Sequence, residues 1–242
     1  MRVVLSGLLP GEPMKVETSQ TEPSTGSLKG EVFEHFARIG KAVSCPKRLE
    51  LLDILCQGPR TVERLAELTQ LSVANTSQHL QVLRGARLVE AEKQGLFVSY
   101  ALAEGVESFY LGLRRLAEQR LAEVERVTRS FWEARGAMEQ VGGGELLQRA
   151  LSGQVTVLDV RPVEEFRAGH LPYARSMPLS ELEQRLGELP RGVEVVAYCR
   201  GPYCVFAMEA VELLRAAGFA ARRLEQGPPE WRAAGVPLLV GP

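Results

Sequence analysis

The chain has 242 residues, 45% hydrophobic and 24% charged, with a formal net charge of −1, which suits one large or two ordinary globular domains. Its apolar runs fall short of the ~20 residues a membrane-crossing helix needs, and so small a net charge gives no global pull on nucleic acid, so any DNA contact must come from a local patch. Four cysteines (Cys45, Cys56, Cys199, Cys204) do not make a secreted disulfide framework, and the start MRVVLSGLLPGEP lacks the cleavage site of a signal peptide, so a cytoplasmic location is expected.

Residues 1–29 are rich in Ser, Thr, Pro, Gly and Glu without periodicity and are expected to be a disordered tail. From Glu31 onward Val32, Phe33, Phe36, Ile39 and Val43 recur at helical spacing. Pro46 suits the first turn of a second helix, which runs to about Gln57 and stops at Gly58-Pro59. Thr61 opens a short third helix through Leu68, and Ser72 caps a fourth, SVANTSQHLQVLRGA. LVEAE and LFVSYALA then flank KQG as a β-hairpin.

A long helix is expected over 106–135, with Phe109, Leu113, Leu116, Val124, Val127 and Phe131 along one seam. Gly142, Gly143 and Gly144 read as the core of a flexible linker, which would not carry a rigid push. Beyond it, helices expected at 145–152, 163–168, 179–189 and 205–217 alternate with strands VTVLDV, VEVVAY and ARRLE. That is the pattern of an open, mainly parallel α/β sheet. The expected organisation is a tail (1–29), a mainly helical domain (30–136), a Gly-rich linker (137–144) and an α/β domain (145–242).

Three short helices, a tight turn, a fourth helix and a hairpin make a winged helix-turn-helix, whose second turn helix lies in the major groove of DNA. That helix supplies Ser72, Asn75, Thr76, Ser77, Gln78, His79 and Gln81, followed by Arg84 and Arg87, with Lys93 on the hairpin as a further contact. No acidic residue falls between Gln70 and Val89, and Leu71, Val73, Leu80 and Leu83 remain as the inward face. Acidic and basic residues are equal in number over 31–104, so pattern rather than charge makes the case.

The stretch RLELLDILCQGPRTVERLAELTQLSVANTSQHLQVLRGARLVEAEKQGLFVSYALA resembles the ArsR family of bacterial repressors. The resemblance implies a homodimer on operator DNA, often packed through the terminal helices. Many members sense metals, but TVERLAEL holds no Cys or His and the terminal helix no His. Cys45 and Cys56 lie along one helix, roughly 16 Å apart at about 1.5 Å per residue, too far for a disulfide. Both read as small buried apolar groups, and no metal or cofactor is expected.

In the second half, a strand ends at Cys199, RGPYC follows, and a helix opens. Such a turn surrounds one sulfur with backbone N–H groups and a positive helix N-terminus, which favours the thiolate. Gly201 lets the backbone curl, Pro202 stiffens the loop, Tyr203 continues it, and Arg200 could direct a cation at an anionic donor. LDVRPVEEFRAGHLPYARSMP, YCRGPYC and LEQGPPEWRAAGVPL, in that order, are similar to a rhodanese domain over 145–242. The resemblance implies persulfide chemistry, with Cys199 taking sulfur from thiosulfate or a persulfide and passing it to a thiol acceptor. It also implies that Asp159 and Arg161 brace the loop, while His170 belongs to a turn. Gly227-Pro228-Pro229 departs from the family's Gly-Gly before Trp. Cys204 is either a resolving thiol or a small residue fitting a tight corner.

The resulting expectation is a DNA-binding regulator, acting as a repressor, whose Cys199 persulfide links sulfur or redox state to DNA affinity. Two alternatives stay open: a sulfurtransferase whose winged helix only localises or dimerises it, and a repressor with a non-catalytic rhodanese module. No membrane partner is expected.

Overall fold

A computed structural model describes residues 25–133, 140–141 and 143–241. It divides into two units, one ending at Arg38 and one spanning Ile39–Pro242. Helix α1 covers Thr25–Val43, so residues 25–29 of the expected tail are helical; the rest of that tail lies outside the described residues.

Within the second unit α2 (Pro46–Leu55) is entered through Pro46 at its first turn. Strand β1 (Arg60–Thr61) leads into α3 (Val62–Thr69), capped by Thr61, whose hydroxyl accepts from the Arg64 N–H. Helix α4 (Val73–Gly85) is capped by Ser72 in the same way, through the Asn75 N–H. Strands β2 (Val89–Gln94) and β3 (Phe97–Leu102) form the hairpin, and β1 adds to β3, giving a three-stranded wing. Leu51, Leu52, Leu65, Leu80 and Leu83 are fully buried between these elements.

The long helix expected over 106–135 is two helices, α5 (Val106–Arg120) and α6 (Ala122–Glu133). Leu121 between them has extended backbone (φ −110°, ψ 100°), which breaks the helical hydrogen-bond ladder. The expected linker is also different. Gln140–Val141 is a strand, β4, and Gly143 begins α7 (Gly143–Leu151); residues 134–139 and Gly142 lie outside the described residues.

Next come β5 (Val155–Asp159), α8 (Val163–Ala168), β6 (Ala174–Ser176), α9 (Leu179–Arg185) with a 3-10 turn over Leu186–Glu188, and β7 (Glu194–Tyr198). Helix α10 (Phe206–Ala216), β8 (Ala221–Leu224) and α11 (Pro228–Ala233) complete the half. Its five strands are parallel, in the order β4-β8-β7-β5-β6. Alternation along β7 sends Val195 and Ala197 towards α9 and α10, and Val196 and Tyr198 towards Leu146 and Trp231 on the other face. Strand order reverses between β5 and β7, so the loops after their carboxyl ends flank the crevice where open α/β sheets bind ligands.

The two halves are not strung on a free tether: they share a polar interface at that crevice. Gln57, only 4% exposed at the end of α2, donates from Nε2 to the Arg200 carbonyl (3.1 Å) and accepts from Arg161 Nη1 (2.9 Å). The Glu165 carboxylate on α8 pairs with Arg200 (2.6 Å) and with Arg60 of β1 (3.4 Å). Arg114 on α5 meets Glu230 on α11 at 2.5 Å, and the Tyr203 hydroxyl donates to Glu118 at 2.6 Å. Replacing Gln57 by Ala strips a fully buried guanidinium of an acceptor. A loss of about 1–3 kcal/mol is expected, read as a lower urea midpoint; an unchanged midpoint would show that the interface carries no stability.

Candidate functional site

Strand β7 delivers Cys199 to the crevice, and the residues before α10 wrap back over it. Gly201 has φ +141°, a conformation that side-chain-bearing residues rarely adopt, and its Cα faces the Glu230 carboxylate. The Cys204 N–H closes the turn on the Gly201 carbonyl at 3.2 Å. The Cys199 thiol is 2% exposed and lies 3.4 Å from the Cys204 carbonyl, to which it donates. Backbone N–H groups of Gly201 and Ala207 face the Cys199 sulfur, and those of Arg200 and Phe206 face Cys204. Phe206 and Ala207 open α10, so helix N-terminal donors contribute to both cradles.

When Cys204 ionises, the Cys199 S–H becomes its sulfur's donor, so the two side chains hold one proton between them. The Cys199 hydrogen bond draws Cys204 down to about 7 against the cost of burial, with the loop N–H groups and Arg200 helping. Burial, then the bond to Cys204 and its charge, push Cys199 well up. The first proton therefore leaves the pair near neutrality and the second is held, because two thiolates in contact repel. Cys204 also lines a cavity over the loop.

Asp159 and Arg161 are both fully buried. Arg161 donates to Asp159 from Nε (2.9 Å) and Nη2 (2.6 Å) and to the Gly169 carbonyl (2.8 Å). The Tyr198 hydroxyl donates to Asp159 at 2.6 Å, tying the end of β7 to that pair. Arg200 is a correction. Its guanidinium does not point at an incoming donor but grips Glu165, through Nε (3.0 and 3.1 Å) and Nη2 (2.6 Å), and so is already neutralised. Burial alone would raise the Glu165 carboxyl; hydrogen bonds from Arg200 and the charges of Arg200, Arg161 and Arg60 hold it down. His170 is stacked on Phe166 and bonded through Nδ1 to its carbonyl (2.8 Å), which fixes the turn.

Several site residues escaped the sequence reading: Gln57, Glu165, Glu230, Arg114 and Gly227. A Cβ on Gly227 would run into the Arg200 carbonyl and lie 2.8 Å from that of Cys199, so only glycine lets α11 sit against the loop. The Gly227 N–H donates to Glu230 at 2.7 Å, and the spacing Gly227 to Glu230 was a legible capping pattern. The other contacts join positions 35 to 143 residues apart and leave no local signal.

On α4, Ser72, Asn75, Gln78, Gln81 and Arg84 are exposed, as is Lys93 on β2; Ser77 and His79 are half-buried. Thr76 is a correction: it is fully buried, its hydroxyl donating to the Ser72 carbonyl at 3.0 Å. It lies four and seven residues before Leu80 and Leu83, on the core face, and cannot reach a base. Val73, expected to face inward, is 48% exposed at the first turn. Cys56 is buried, and burial pushes its thiol up. Cys45 is half-exposed rather than buried; it caps α2, where the Arg48 N–H lowers its pKa. Among the described residues no His, Cys, Asp or Glu cluster is fit to hold a metal, and no helix is long and apolar enough to cross a membrane.

The geometry of the thiol pair has a direct readout. Alkylation of Cys204 by iodoacetamide should rise with pH through a midpoint near 7, while Cys199 is modified only at higher pH, as read by peptide mass spectrometry. Equal labelling of both at neutral pH would contradict a shared proton.

The chain matches the model of the bacterial regulatory protein arsR family over residues 45–91 and that of the rhodanese-like domain over residues 144–234. It is 41% identical over 215 residues to the HTH-type transcriptional regulator Rv0324 of Mycobacterium tuberculosis, covering 88% of this chain and 94% of that one. It is 36% identical over 62 residues to the transcriptional repressor SdpR of Bacillus subtilis, 26% of this chain and 69% of the relative. A solved homodimeric winged helix-turn-helix domain from Mycobacterium bovis is 34% identical (38% of this chain, 87% of that one, TM-score 0.38). A rhodanese-related protein from Thermoplasma volcanium is 25% identical (43% and 99%, TM-score 0.38). The chain belongs to the ArsR family of bacterial transcriptional regulators, with a rhodanese-like domain as its C-terminal half.

Proposed function

We propose that this regulator is a repressor that loads sulfane sulfur on Cys199 and that the loaded loop changes its grip on operator DNA. The observation that carries the reading is the position of the dithiol loop: two thiols in mutual contact, ringed by N–H groups, pressed directly on the end of α2. The pair loses its first proton near neutrality; passage of the Cys199 proton to Cys204 then leaves the charge on Cys199, which attacks the outer sulfur of a persulfide or thiosulfate, whose other half leaves with the bonding electron pair. A persulfide on Cys199 then has two exits. An acceptor thiol takes the outer sulfur, or Cys204 attacks Cys199, forming a disulfide and expelling hydrosulfide.

Either product is bulkier or more constrained than a thiol that is 2% exposed, so the loop must shift. The shift acts on Arg200, whose carbonyl is bonded to Gln57 and whose guanidinium shares Glu165 with Arg60. Both contacts lead into the winged helix, through α2 and through the wing strand β1. Operator contact falls to Asn75, Gln78, Gln81 and Arg84, supported by Ser72, Ser77, His79 and Lys93, and the half-exposed seam on α5 and α6 (Phe109, Leu116 and Val127 among it) fits a homodimer.

Two outcomes test the two ends of this reading. Wild-type protein should move sulfur from thiosulfate or a persulfide to a thiol, with the added mass on Cys199, and Cys199→Ser should lose the transfer, a hydroxyl being far the poorer nucleophile; transfer surviving in that variant, or sulfur found only on Cys204, would refute the assignment. Replacing Gln78 and His79 together by Ala should leave the protein dimeric but weaken operator binding by ~1–3 kcal/mol for each base edge no longer read. Unaltered discrimination between operator and scrambled DNA in a binding titration would remove α4 from the interface.

A further inference from the structure

The cavity over the dithiol loop measures about 340 Å³ and has walls from both halves of the chain. Cys204 and Phe206 lie on one side, Asp53, Ile54, Leu68 and Arg114 on the other. Its size is that of a small-molecule site.

Charge around it is uneven in a specific way. Both guanidiniums that line it already hold carboxylates, Arg200 on Glu165 and Arg114 on Glu230. Asp53 does not hold a cation. Its Oδ1 accepts from the Tyr110 hydroxyl at 2.9 Å, and among the described residues it has no ion-pair partner and its Oδ2 no donor. Burial raises its carboxyl, against the Tyr110 bond and the more distant charges of Arg114 and Arg200. A half-buried carboxylate short of a counter-charge is costly, and a cation arriving from outside relieves that cost.

Building on the sulfur-transfer reading above, we infer that the cavity takes a low-molecular-weight thiol or persulfide bearing an ammonium group, with Asp53 as the ammonium's partner. The carrier's short carbon chain lies between Ile54 and Leu68, and its sulfur points at the Cys199–Cys204 pair. In loading, the pair's thiolate attacks the outer sulfur of the carrier persulfide; the carrier's S–S bond breaks and its electron pair leaves on the carrier thiolate. Unloading is the reverse, and neither direction needs an oxidant. An anionic carrier finds no lining cation without a carboxylate. The DNA-binding half thus supplies the specificity residue of the sulfur site.

The test uses the full chain and two readouts. Protein loaded with sulfane sulfur is discharged with cysteamine, 2-mercaptoethanol or mercaptoacetate, each rate corrected for thiolate fraction. Cysteamine should be about tenfold faster than mercaptoacetate, a charge-pair-sized difference, and in Asp53→Asn the ratio should fall towards one. Asn keeps an oxygen for the Tyr110 hydroxyl, so the variant retains that bond. In parallel, calorimetry with 2-(methylthio)ethylamine and (methylthio)acetate, which transfer no sulfur, reads binding alone. The amine should bind wild type more tightly than the acid and lose that advantage in Asp53→Asn. No preference in wild type, or one that survives in the variant, overturns the inference while leaving persulfide formation standing. If no persulfide forms but the amine still binds through Asp53, the sulfur-transfer reading fails and the site remains.

Discussion

One buried carboxylate, Glu165, is shared by two guanidiniums from different halves of the chain: Arg200 of the thiol loop and Arg60 of the wing strand β1. All three side chains are largely out of water, so none can be left without its partner. Breaking a buried pair on one side costs about 3–5 kcal/mol, which makes this contact stiff. A tenfold change in DNA affinity requires only about 1.4 kcal/mol. If loading displaces the loop as proposed, even partial transmission through Glu165 and Gln57 would be large enough to regulate, and the loop would not have to touch α4.

Elements whose cause is local were legible in the sequence. The caps Thr61 and Ser72, Pro46 at a helix start, the helix 163–168 and the strands β7 and β8 all follow from side-chain oxygens, fixed φ angles or periodicity within a few residues, whereas the three-residue β6 was not expected. The cysteine loop was equally clear, since strand, glycine and helix are contiguous. Failures came where a distant partner decided the outcome. Gln140–Val141 is a strand only because it finds β8 some eighty residues on, although it sits beside glycines that favour a linker. Leu121 breaks a helix whose apolar spacing alone reads as continuous. Thr76 sits on the core face because its hydroxyl can bond the Ser72 carbonyl, which makes a polar residue acceptable there. Arg200 was read as a free cation because nothing near it in sequence announces Glu165.

The two cysteines divide the chemistry by position. Cys199 lies at the base of the cradle, enclosed and high in pKa while its neighbour is charged; Cys204 stands at the cavity, where a carrier can arrive. On the proposed reading the pair would accept sulfur near neutral pH without a separate base, since one thiol's proton stabilises the other's charge. The same contact would also give a Cys199 persulfide a route to a disulfide. Because the cavity's far wall belongs to α2, α3 and α5, the proposed carrier would touch the DNA-binding half directly.

The account stands on sulfur at Cys199 reaching the DNA-binding surface. The most direct measurement is a titration of operator DNA with reduced protein, with persulfidated protein, and with Cys199→Ser exposed to the same donor. Persulfidation should weaken operator binding at least about tenfold, equivalent to 1.4 kcal/mol, while the Ser variant binds as reduced protein does before and after treatment. Identical affinity for the reduced and loaded wild-type protein, with sulfur verified on Cys199, would contradict the coupling.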